Sequence, residues 1–94
     1  MIKITKENDV IKITGHAIPT VCAAISSSMY TSINAILKYD ENCIDYIDDE
    51  ELDMVTITIK KHDRIIDLLV DNMFKSFGDI REDFESEVNI NIIR

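Results

Sequence analysis

The apolar residues of this chain change their spacing four times, and that alternation limits the folds open to it more than any other feature. Ile2 and Ile4 alternate with Lys3 and Thr5, and Ile11 and Ile13 with Lys12 and Thr14, while Glu7-Asn8-Asp9 separates the two runs. A period of two turns one face of each run toward a core, and the short polar break makes the pair a β-hairpin. From Pro19 the period lengthens. Val21, Ala24, Ile25, Ser28, Met29, Ser32, Ile33, Ile36 and Leu37 recur at three- and four-residue intervals as far as Tyr39, which marks one face of a helix. Pro19 suits a first helical position, where its missing N–H costs nothing. Residues 43–47 and 54–60 return to strand patterning around the acidic turn Asp48-Asp49-Glu50-Glu51. The second of these, MVTITIK, has the β-branched density that a pleated surface favours. Ile66, Leu69, Val70, Met73, Phe77, Ile80 and Phe84 then define a second helical face, with Asp63 placed to cap it and Gly78 weakening it near its end. Val88, Ile90 and Ile92 close the chain as a strand.

The order ββαββαβ, with one apolar stripe per helix, predicts an α+β fold in which two helices lie on one face of a mixed, mostly antiparallel sheet. The 94 residues suffice for one core, so the expectation is a single domain over 1–94. Apolar residues make up 46% of the chain against two Gly and one Pro, which argues against a disordered linker. A formal charge of −8 repels phosphate, so direct nucleic-acid binding is not expected. The alternating N-terminus lacks an apolar signal region, and no run reaches the ~18 uninterrupted apolar residues of a membrane span. Two cysteines cannot form a multi-bridge framework and fit a reducing cytoplasm.

The chemistry concentrates in GHAIPTVCAAIS, residues 15 to 26. A helix beginning at Pro19 puts Cys22 in its first turn, where unpaired N–H groups and the positive end of the helix dipole favour an anion. A histidine within reach can take the thiol's proton, and His16 ends the preceding strand. The five residues between them are long enough to bring the two together. Gly15 permits an unusual backbone angle, and Ser26 shares a helical face with Cys22. Spacing alone leaves two readings open: a thiol with its base, or a small core residue beside Ala23 and Ala24.

Gly15-His16-Ala17, Val21-Cys22-Ala23-Ala24 followed by Ser26, and Ser32-Ile33-Asn34-Ala35-Ile36 together resemble the ribosomal-processing cysteine proteases (Prp) of bacteria. The likeness extends more weakly through Ile44-Asp45-Tyr46 to the C-terminal strand. It implies a homodimeric, cytoplasmic cysteine endopeptidase that removes the N-terminal extension of a large-subunit ribosomal protein. His16 then matches the general base, Cys22 the nucleophile, and Gly15 and Ser26 the supporting positions. Relatives of this kind usually carry a longer, glycine-containing loop between histidine and cysteine, with an aspartate three residues before the cysteine. Here the link is short and Pro19 holds that place. The alternative is therefore a catalytically impaired or non-catalytic dimeric paralogue that binds peptides, encoded by a phage or mobile element.

The remaining candidates carry less. Cys43 reads as a packed or partly exposed thiol and His62 as solvated. No paired spacing joins the histidines and cysteines, so neither metal nor cofactor is expected. The acidic run from Asp48 to Asp53 reads as a solvated turn that, in a peptidase, would steer a basic peptide toward the cleft. Met29 and Tyr30 read as core or dimer contacts.

Overall fold

The sheet forms around the N-terminal hairpin. The computed structural model describes residues 1–93. Strands β1 (Ile2–Glu7) and β2 (Val10–Gly15) precede helix α1 (Pro19–Tyr39); β3 (Ile44–Asp49) and β4 (Met54–Ile59) precede α2 (Arg64–Asp83), and β5 (Val88–Ile93) follows. The hairpin loop is two residues long, and Asn8 takes the left-handed conformation (φ 55°) that asparagine tolerates. The strand order is β3-β4-β2-β1-β5, with β1 and β5 parallel and the other three pairs antiparallel. The expected ββαββαβ order and mixed sheet are both present.

One face of the sheet is dry. Ile2, Ile4, Ile11, Ile13, Ile44, Ile57, Ile59 and Val88 project from it, and Val21, Ile25, Met29, Ile33 and Ile36 of α1 meet them together with Ile66, Val70, Met73 and Phe77 of α2. Both helices therefore lie on that face. Among the described residues α1 alone is long and apolar enough, by length and composition, to cross a bilayer, but the five residues of its stripe belong to the protein's own core. Phe77 is fully enclosed and meets Phe74 edge-on, with ring centroids 5.6 Å apart, so truncation to alanine should cost about 3–5 kcal/mol. Asp63 caps α2 as expected, accepting from the Ile65 and Ile66 N–H groups at 2.9 and 2.8 Å. Those bonds, the Ile66 one foremost, hold its carboxyl below the usual range.

Strand β3 departs from the sequence reading. Asp48 and Asp49, expected in the turn, pair with Val55 and Met54 as the last residues of the strand. The Tyr30 hydroxyl on α1 donates to Asp48 Oδ2 at 2.6 Å, and the carboxylate accepting that bond pushes the phenol up to about 12. Ladder pairing and this tie overrule the low strand propensity of aspartate. The turn shrinks to residues 50–53.

Candidate active site

The central strand β2 leads straight to the mouth of α1. At its end Gly15 adopts φ 91°, a conformation costly to any residue with a Cβ, and an added Cβ would run into the Met1 carbonyl. The chain turns out of the sheet there, so His16, Ala17 and Ile18 form the whole connection to the helix. Ile18 is the N-cap residue and offers no capping side chain. Its carbonyl accepts from the N–H groups of Val21 and Cys22 at 3.0 and 3.1 Å. Pro19 has no N–H, so among residues 19–22 of the helix only the Thr20 N–H is not spent on the Ile18 carbonyl. The expected group of unpaired donors is thus narrower than the sequence implied.

The thiol of Cys22 is partly exposed and nests against the backbone of one residue, Ala17. The Ala17 N–H donates to Sγ at 3.3 Å, and Sγ in turn donates to the Ala17 carbonyl oxygen at 3.3 Å. The backbone of Ala17 offers an acceptor to the protonated thiol and a donor to the thiolate. Sealed burial among Ala23 and Ala24, the competing sequence reading, does not occur.

A cleft of about 260 Å³ opens beside the sulfur. It gathers His16 and Gly15 from the end of β2, Cys22, Ser26 and Met29 from α1, and Asp48, Asp53 and Met54 from the β3–β4 hairpin. All four residues singled out from the sequence, Gly15, His16, Cys22 and Ser26, therefore share one cavity. His16 and Cys22 do not engage each other directly. The imidazole Nε2 lies 2.6 Å from Asp53 Oδ2, and the thiol is held by Ala17.

Asp53 and Asp48 are the site residues that sequence reasoning missed as individuals, because it treated residues 48–53 as a solvated turn. The signal lies in the pairing of β2 with β4, whose end pair Thr14–Met54 brings the residues just beyond each strand end together. That register cannot be read from strands separated by a helix and a further strand. Met29 lines the cleft from a largely buried position, and His62 is exposed as expected while also bridging the carboxylates of Asp67 and Asp9.

The model of the cysteine protease Prp family matches residues 1–89. The chain belongs to that family. Its fold matches the essential ribosomal processing protease Prp from S. aureus, in complex with a covalently linked product peptide, with a TM-score of 0.83 at 23% identity over 98% of this chain and 97% of that one. The same S. aureus protease in complex with a substrate peptide gives 0.83 at 20% identity, with the same coverage. A protein from Streptococcus mutans gives 0.80 at 17% identity, over 98% of this chain and 91% of its own. Among curated proteins, none matches the sequence. These likenesses establish the fold, and the family match establishes the class of protein: a cysteine protease family.

Proposed function

We propose that this chain is a cysteine endopeptidase in which Cys22 is the nucleophile and His16 takes and returns the proton. The observation that carries the reading is that the family's class of nucleophile, a cysteine, lies with a histidine on one cleft at a helix mouth. Sγ gives its proton to the imidazole and attacks the scissile carbonyl carbon. The oxyanion that forms faces the Thr20 N–H and the positive end of α1. Collapse breaks the C–N bond, the imidazolium protonates the leaving amine, and water hydrolyses the thioester to restore the thiol. Ser26 lies on the cleft wall, where its hydroxyl can bond the bound peptide, and Gly15 sets the direction in which His16 leaves the sheet.

The family and the S. aureus relative's complexes with peptides support a peptide substrate; we take it to be the N-terminal extension of a large-subunit ribosomal protein, cut by a cytoplasmic homodimer that uses no cofactor. The negative charge of the chain and the carboxylates Asp48 and Asp53 on the cleft favour a basic peptide over nucleic acid. Incubation of the precursor with the protein and with Cys22→Ala tests the assignment. Turnover should fall at least ~10³-fold in the variant, and equal cleavage by both would remove Cys22 from the mechanism.

One observation favours a second reading, a peptide-binding relative without turnover: the thiol and the imidazole are each bonded to another group rather than to each other. In that case the parent and Cys22→Ala bind the precursor peptide alike, and neither releases product.

A further inference from the structure

Asp53 does more than add to an acidic turn. It is the last residue before β4 and sits at φ 52°, the left-handed region that aspartate and asparagine enter more readily than other residues with a side chain. The β2–β4 ladder ends at Thr14–Met54, one step short of Gly15 and Asp53. The carboxylate is thereby presented to the residue that follows Gly15. Its Oδ2 lies 2.6 Å from Nε2 of His16, and both residues line the cleft that holds Cys22.

The two nitrogens of an imidazole are not equivalent once one of them faces a carboxylate. The nitrogen on the carboxylate carries the proton, and the other is left with the lone pair of the neutral ring. We propose that Asp53 is the positioning residue of His16: by holding Nε2–H it fixes the ring and makes Nδ1 the atom that exchanges a proton with Cys22. This inference rests on the peptidase reading. It places the acid of the site on the β3–β4 turn, while the His16–Cys22 link carries Pro19 and no acid. The side chains of His16 and Asp53 are 79% and 47% exposed. Such a pair adds little to stability, so its loss should be felt in turnover and not in folding.

The left-handed backbone dictates the variants. Asp53→Asn keeps a residue suited to that conformation and removes the charge, whereas Asp53→Gly removes the side chain without strain. On a peptide spanning the precursor junction, both should lower kcat about 10- to 100-fold, less than the loss seen on disabling a buried triad acid. KM should stay within about threefold. Nitrogen-15 NMR of the neutral His16 ring should show the Nε2–H tautomer in the parent and a mixture of tautomers in Asp53→Gly. An unchanged kcat, or a rise in KM alone, would overturn the proposal, because Asp53 would then be idle or a peptide contact. If the parent shows no Cys22-dependent cleavage, the peptidase reading falls and the ring spectrum alone decides the positioning role. A change from the Nε2–H tautomer to a mixture in Asp53→Gly then supports it, and the same tautomer alone in both proteins refutes it.

Discussion

Helix α1 has a cysteine near each end, and the two ends have been built in opposite ways. At the C-terminal end backbone and side-chain groups are tied to one another. The Asp40 N–H donates to the Ile36 carbonyl at 2.9 Å, and the Cys43 thiol donates to the Asp40 carbonyl at 2.8 Å. The Lys60 N–H donates to the Cys43 carbonyl at 2.8 Å, and the Tyr39 hydroxyl to Asp63 at 2.7 Å. Cys43 is completely buried, and burial, with Asp40 beside it, pushes its thiol up. At the N-terminal end there is no side-chain cap, the helix opens on a cleft, and Cys22 remains partly exposed. One residue type, placed near either end of one helix, thus becomes a packing element where carbonyls and apolar neighbours close around it. It becomes a candidate nucleophile where N–H groups and open space meet it. The dipole adds to the contrast, since its positive end faces Cys22 and its negative end Cys43. The joint closes around its thiol, and the cleft leaves its thiol open to a ligand.

The largest test of this contrast is alkylation of the native protein. Iodoacetamide should modify Cys22 at least ~10³-fold faster than Cys43, whose reaction waits on local or global opening. Peptide mapping after timed quenching reads both rates from one sample, and comparable rates would erase the distinction between the two ends. Next comes the backbone that delivers His16. Gly15→Ala forces a side chain into φ 91° and against the Met1 carbonyl, which should cost about 2 kcal/mol or more in urea unfolding. Gly78→Ala is the matched control. It lies inside α2 with no atom within 4 Å of an added Cβ, and it should stabilise by about 0.5–1 kcal/mol. Destabilisation by both would mean that Gly15 holds no special turn.

These two ends were unequally legible in the sequence. The alternation of Ile2 with Ile4, the period of α1 and the capping position of Asp63 are local signals, and the elements they mark formed where expected. Pro19 fixed the start of α1, so the placement of Cys22 in the first turn followed from it. What could not be read depends on pairing between distant segments. The end of β3 was missed because Asp48 and Asp49 are poor strand formers held by Val55, Met54 and Tyr30. Asp53 was missed because its place beside His16 requires the register of β2 on β4, which no local pattern encodes. The bonds of Cys43 with Lys60 and of His62 with Asp9 were missed for the same reason, since their partners come from distant segments.

A smaller effect should appear at the closed end. Cys43→Ala removes a fully buried sulfur and leaves a small void, a loss of about 1–2 kcal/mol at the low end for buried truncations. Alkylation of Cys22 and any Cys22-dependent cleavage should be unaffected, as the two sulfurs lie at opposite ends of a helix of 21 residues. A change in either would mean that the packed end communicates with the cleft, and the comparison would have to be redrawn.

The smallest effect belongs to His62, which extends the closed end into the hairpin. Its Nδ1 lies 2.9 Å from Asp67 on α2 and its Nε2 2.7 Å from Asp9 in the β1–β2 loop. With a carboxylate on each nitrogen the imidazolium can donate twice, and these bonds, Asp67 first and Asp9 second, raise its pKa above the ordinary histidine value. The sign follows from the two states. A group that holds its proton more tightly when folded contributes its full stabilisation below the unfolded value of about 6.5 and loses it as pH rises through the folded one. The side chain is 51% exposed, so solvent screening limits the contribution to a few tenths of a kcal/mol. The stability gap between the parent and His62→Gln should therefore be widest near about pH 6 and close toward about pH 9. Added salt should narrow it at the lower pH. A gap that ignores both pH and salt would mean that His62 acts through packing alone. The closed end of α1 would then be held by its backbone bonds and Tyr39, without an electrostatic staple to the hairpin.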